Sequence, residues 1–290
     1  MRTPTLRSGQ DQHFDSMTDL PTINPGGTLT RIVHVTCVDC GTGFEYEHCC
    51  AFRDERDTCD DCAAKAGAKW EQEHAREVRS ANKRAAIAVI PPLMRPKDIG
   101  GESDPERFPA SVWRRLCAWT PSNGRGIGLI GDSGLCKTRM LHATLARVML
   151  DQESRLDASY ADAVTMAEFK EMASNRFDGP AKERWYRIRC CRVLVLDDVD
   201  KVALTDDGMT ALFNLVDFRT TREKPILWSA NCADRRELVK RLSAKLNDAR
   251  QVGPIVGRLA EFSPVVRVEA NAKGEAPPRQ VKHNLPKTDE

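Results

Sequence analysis

The second half of the chain is a series of short apolar runs separated by amphipathic segments. GIGLI at 126–130 reads as a first strand, and residues 156–164 as a second. VLVL at 193–196, four apolar residues in succession, describes a strand buried on both faces, as in the middle of a parallel sheet. ILWSA at 226–230 gives a further buried strand and PVVRVE a last one. Between them the period changes to that of helices. Residues 138–150 place Met140, Leu141, Leu145, Val148 and Met149 on one side, and 208–220 do the same with Leu212, Leu215, Val216 and Phe218. Thr165 with Glu168 three positions later has the form of a capping box opening a helix over 166–174. Residues 175–185 read as a polar hinge, and 234–247 as a charged helix. Strands alternating with helices predict an α/β fold with a parallel sheet.

The first half is organised differently. Residues 1–30 are rich in Thr, Pro, Gly, Ser and Asp without apolar period and read as a flexible leader. A small module follows at 31–65, then an Ala-, Glu-, Lys- and Arg-rich linking helix at 66–90 that stops before Pro91-Pro92. Val112, Leu116 and Trp119 have helical spacing and belong to the core domain, 91–270. Residues 271–290 have the composition of a disordered tail.

Composition limits the function classes. With 41% hydrophobic and 30% charged residues in 290, the chain is of the ordinary globular type. It has no run of about 18 apolar residues and no apolar centre near its N-terminus, so the reading is a cytoplasmic protein with no membrane partner. A net charge of +2 means that any nucleic-acid contact comes from local basic patches, for which Arg76, Arg79, Lys83 and Arg84 are the candidates.

Six of the eleven cysteines fall between Cys37 and Cys62. Cys37, Cys40, Cys59 and Cys62 form C-x2-C-x18-C-x2-C, a spacing in which two knuckles can set four thiolates tetrahedrally around Zn²⁺. His34, His48, Cys49 and Cys50 are spare ligand types. A segment of this size has too little apolar mass to fold alone, so metal binding would supply its stability.

The first strand runs into GDSGLCKT. Gly131, Asp132, Ser133, Gly134, Leu135, Cys136, Lys137, Thr138 and Arg139 thus occupy a strand–loop–helix turn that can cradle phosphates with backbone N–H groups, a lysine for the outer phosphates and a hydroxyl for Mg²⁺. Cys136 stands where the G-x-x-x-x-G-K-[ST] pattern has glycine. About sixty residues on, the buried strand ends in Asp197-Asp198. Asp197 suits the Mg²⁺ shell beside Thr138, and Asp198 suits orienting or deprotonating the attacking water. Asn231, at the end of the next strand, can reach the γ-phosphate or that water.

Together these residues resemble the DnaC/IstB branch of the AAA+ ATPases, over about residues 90–268. GDSGLCKT corresponds to Walker A, VLVLDDVDK to Walker B, SAN to sensor 1, and VGRLAEF stands where the family has a short R-L motif. The resemblance implies a RecA-like core of strand order 5-1-4-3-2, ATP and Mg²⁺ as cofactors, and Arg258 as an arginine finger offered to a neighbouring subunit. It also implies a homo-oligomer with active sites between subunits, a replicative helicase or a transposase as client, and DNA, single-stranded in particular, as partner. The N-terminal module is zinc-ribbon-like. Arg219 and Arg222 compete with Arg258 for the trans-acting role, and no sensor 2 arginine is placed, Arg267 being a weak candidate. The expected function is an ATP-hydrolysing helicase-loader-like switch. One alternative is a zinc-dependent adaptor whose ATPase is weak or absent because of Cys136, and another is a regulator that reads DNA through residues 30–90.

Overall fold

Alternating polarity makes a hairpin of the first described residues. Strand β1 (Thr22–Ile23) pairs antiparallel with β2 (Leu29–Thr36), which pairs antiparallel with β3 (Gly43–Cys49) in the register Val35↔Phe44 and Val33↔Tyr46. The structure, a computed structural model, describes residues 22–23, 29–49 and 56–269 other than 158, 245 and 247. Cys50, the tail at 271–290 and most of the leader lie outside these; residues 22–23 and 29–30 of the expected leader are strand. The chain divides into two units, 1–74 and 75–290.

In the first unit the β2–β3 turn is tightened by Gly41, whose φ of 74° is left-handed. The Gly41 N–H donates to the Cys37 carbonyl (2.9 Å) and the Cys37 N–H to that of Thr42 (2.9 Å). Helix α1 (Asp60–Val89) starts six residues before the expected linking helix. Asp60 and Asp61 in its first turn face the positive end of the helix dipole, which favours a start there.

In the second unit the C-terminal half of α1 buries Val78, Asn82 and Ala86, one residue per turn. Asn82 is fully buried; its amide donates to the carbonyls of Gln152 and Ser154 (3.1 Å each) and its oxygen accepts the Leu156 N–H (2.8 Å). The elements then alternate: α2 (Ala110–Cys117), β4 (Ile127–Ile130), α3 (Lys137–Leu150), β5 (Ala161–Thr165), α4 (Met166–Ser174), α5 (Gly179–Cys190), β6 (Val193–Asp197), α6 (Asp206–Thr220), β7 (Ile226–Ala230), α7 (Arg235–Ser243), α8 (Val252–Phe262) and β8 (Val265–Arg267). The capping box at Thr165 and Glu168 is formed.

The five strands β5-β6-β7-β4-β8 make one parallel sheet. Counted within the sheet, this is the expected order 5-1-4-3-2. Alternate residues of β6 feed two cores: Leu194 and Leu196 pack with α4, α6 and α8, while Val193 and Val195 pack with α2 and α3. The sheet is therefore covered on both sides, which is why its strands read as continuous apolar runs.

The polar hinge expected at 175–185 is corrected. Residues 179–190 are helix α5, opened by Asp178 as N-cap residue and Pro180 in the first turn. Only Ile188 of α5 is fully buried, so the segment carries almost no apolar period to be read.

Candidate nucleotide and metal sites

The turn after β4 needs backbone shapes that side chains resist. At Gly131 φ is 145° and a Cβ would collide with the Val268 carbonyl; at Gly134 φ is 88°. Cys136 itself is left-handed, with φ 58° and ψ 20°, immediately before α3 begins at Lys137. The conformation that glycine would supply is therefore adopted by a residue with a Cβ, at a cost of about 1–2 kcal/mol. Partial burial of the side chain offsets some of that cost and pushes the Cys136 thiol upward. Cys136→Gly is expected to raise the unfolding midpoint slightly or leave it unchanged, and to leave the affinity for a fluorescent ATP analogue unchanged or improved. A large loss of affinity would show that the loop needs the thiol.

The loop and the ends of β6 and β7 border a cleft of about 390 Å³, lined by Met94, residues 133–139, Asp198, Lys201 and Asn231. Lys137 is buried, and its ammonium donates to the carbonyls of Gly131 and Asp132 and to Asn231 Oδ1, each at 2.8 Å. Burial lowers its pKa, while the charges of Asp198, Asp200 and Asp197 oppose that shift. Thr138 Oγ1 donates to Asp197 Oδ1 (3.0 Å). Burial raises the Asp197 pKa, against the donating Ser229 hydroxyl. A cation held between Asp197 and Thr138 would favour the carboxylate, so this donor set fits Mg²⁺.

Asn231 joins the two halves of the cleft. Its oxygen accepts a hydrogen bond from the Lys137 ammonium, and its amide donates to Asp198 Oδ1 (2.9 Å). Its backbone N–H donates to Asp200 Oδ1 (2.7 Å), whose other oxygen accepts from Arg241 (2.8 Å). Asp198 has φ 54°, also left-handed, and its N–H donates to Ser229 Oγ (3.0 Å); that hydroxyl donates to Asp197 Oδ1 (2.5 Å). Ser229 and Asp200 are positioning residues that the sequence reading did not select. A hydroxyl inside an apolar strand, and a third acid after the Asp pair, were the available signals.

The arginines separate. Arg258, on α8, pairs with Asp217 and lies over the Phe213 ring (5.4 Å), and it is not among the residues lining the cleft of its own chain. Arg219 is fully buried, with its guanidinium donating to the carbonyls of Ile188 (2.8 Å), Pro225 (2.9 Å) and Cys191 (3.1 Å). It ties the end of α5 to the starts of β6 and β7, so it is corrected from trans-acting candidate to core residue. Arg222 lies over Phe218 (4.0 Å), and Arg267 pairs with Glu269 (3.4 Å).

In the first unit the ligand atoms of Cys37, Cys40, Cys59 and Cys62 all lie within 4.8 Å of one another. Cys40 and Cys59 sulfurs are 3.7 Å apart, close to the S···S separation of about 3.8 Å that a tetrahedral Zn–S₄ centre requires. The donor chemistry and spacing thus fit zinc. Among the described residues this metal cluster contains four sulfurs and no histidine. Its second half is not a second knuckle: Cys59 precedes α1 and Cys62 lies in its first turn. Crowding splits the thiols. A hydrogen bond from the Cys59 backbone leads the lowering of Cys37 to about 6, while bonding with Cys40 leads the rise of Cys62 to about 12. A metal that takes all four as thiolates removes this competition.

No protein-family profile and no curated protein matches the sequence. Solved structures with similarity include DnaI, at 18% identity and TM-score 0.48, covering 61% of this chain and 93% of that one. The DnaC helicase loader has 18% identity and TM-score 0.45, with 55% and 87% covered. AMPPCP-bound DnaA from Aquifex aeolicus has 18% identity and TM-score 0.45, with 63% and 53% covered, so the match spans about half of that chain. Among the described residues no helix is long and apolar enough to cross a membrane. A lysine loop after the first strand, a carboxylate pair after the third and an asparagine after the fourth, on a parallel sheet of order 5-1-4-3-2, give the second unit an α/β fold with a phosphate-loop-like turn, and the first unit carries a four-cysteine cluster.

Proposed function

We propose that this protein binds and hydrolyses ATP as a switch of the helicase-loader kind, assembling on DNA and recruiting a client such as a replicative helicase or a transposase. The observation that carries the reading is the continuous link Lys137–Asn231–Asp198 beside the Thr138–Asp197 pair. It joins a phosphate-binding lysine, a γ-phosphate sensor and a water-orienting carboxylate in one cleft. Lys137 would exchange the Gly131 and Asp132 carbonyls for phosphate oxygens. Thr138 and Asp197 would hold Mg²⁺, which supplies charge neutralisation on the phosphates. Asp198 would orient the attacking water, and Arg258 would act in the cleft of a neighbouring subunit after leaving Asp217. The four-cysteine module and the exposed Arg76, Arg79 and Lys83 of α1 would engage client or single-stranded DNA.

Lys137→Ala is expected to lower DNA-stimulated ATP turnover by about 100-fold or more, read as phosphate release. Unchanged turnover would sink the mechanism. The zinc-dependent adaptor is a second reading, favoured by the Cβ at the left-handed Cys136. It requires that the wild-type protein fail to bind nucleotide at millimolar concentration.

A further inference from the structure

The cleft contains a cation that none of the roles above uses. Lys201 Nζ donates to Asp198 Oδ2 at 2.9 Å, and the Lys201 side chain is 68% exposed along the cleft wall. An i,i+3 ion pair at a surface is by itself worth little. What distinguishes this one is the carboxylate it holds. Asp198 has its Oδ1 engaged by the Asn231 amide, its N–H by Ser229 Oγ, and its carbonyl by the Lys201 N–H (2.9 Å). The neighbouring Val199 N–H is tied to the Ser229 carbonyl (2.8 Å). The turn is thus fastened to the end of β7, and Oδ2 is the one carboxylate oxygen whose partner sits on a long, exposed side chain.

A water-orienting role for Asp198 requires that oxygen. Asn231 cannot release its share easily, because its own oxygen and N–H are held by Lys137 and Asp200. Among the described residues the Lys201 ammonium makes no other hydrogen bond or ion pair, so it can swing away without breaking a second contact. The strongest competing partner that enters such a cleft is the terminal phosphate of a nucleoside triphosphate, which carries more negative charge than one carboxylate.

We infer that Lys201 contacts the γ-phosphate: it pairs with Asp198 when no triphosphate is bound and transfers to the terminal phosphate when one is, freeing Asp198 for water. The inference rests on the ATP reading and adds to it a residue that separates triphosphate from diphosphate. Lys201 then has two anionic partners in sequence, and the change of partner couples nucleotide state to the readiness of Asp198.

The test is equilibrium titration of the full-length protein with fluorescent ATP and ADP analogues in Mg²⁺. Lys201→Gln is expected to weaken ATP binding by about 10-fold while ADP affinity stays within about 2-fold. Lys201→Arg, which keeps the charge, is expected to retain the preference for ATP. The inference is overturned if the glutamine variant keeps the wild-type ratio of ATP to ADP affinity, or weakens both nucleotides equally with an unchanged unfolding midpoint. A wild-type protein that binds neither nucleotide overturns the ATP reading itself, a result separable from a failure of Lys201 alone.

Discussion

Chelation of zinc, or the double replacement Cys37→Ser and Cys40→Ser, is expected to unfold the N-terminal hairpin and the start of α1. The hairpin has little else to hold it: of its described side chains only Thr30, Cys37 and His48 are buried. A small sheet of a two-residue strand and one hairpin with so small a core is marginal in water, whereas structural zinc in comparable modules contributes about 10–16 kcal/mol at neutral pH. Metal analysis should find one zinc per chain, and amide exchange of residues 29–62 should accelerate by orders of magnitude after chelation. Full protection in metal-free protein would mean that the four sulfurs are not a structural site. Acidification works in the same direction. The ligands bind as thiolates, so protons compete with the metal and release it as pH falls.

Arg219→Leu is expected to destabilise the core by about 3–5 kcal/mol in urea unfolding. The guanidinium satisfies carbonyls at the end of α5 and before β6 and β7, and it also donates to the Cys191 sulfur (3.3 Å). Leucine fills part of the space but leaves those carbonyls buried and unpaired. Burial lowers the Arg219 pKa, yet several acceptors in a planar fork still favour arginine over lysine at this position. A loss below about 1 kcal/mol would mean that water reaches these carbonyls.

These two predictions lie on opposite sides of what a sequence reveals. The four cysteines were legible because metal coordination fixes ligand type and spacing within a few residues. The placement of Lys137, Thr138, Asp197, Asp198 and Asn231 at strand ends or a helix start was legible for a related reason: those ends are marked by glycines and by breaks in apolar runs. Arg219 was misjudged because an arginine at the end of an amphipathic helix reads as a surface residue. Nothing local announces that carbonyls from three separate segments converge on it. Helix α5 was missed for the converse reason, since only Ile188 faces fully inward and no apolar stripe marks the rest.

The sequence by itself determined the α/β alternation and the four-cysteine set, since periodicity and motif spacing act along the chain, whereas the strand order was expected only from the family resemblance. Only the tertiary structure decided that Cys136 takes the left-handed conformation of the glycine it replaces. The tertiary structure also decided that Asn231 bridges Lys137 and Asp198, that Ser229 braces the two acids and Asp200 braces Asn231, and that Lys201 holds Asp198. Apart from the local Lys201–Asp198 pair, these are contacts between the ends of different strands and the loops after them, brought together by the pairing of β4, β6 and β7 in one sheet. The carboxylate pair and the phosphate loop lie about sixty residues apart in the chain, and it is the register of parallel strands that sets them against one another.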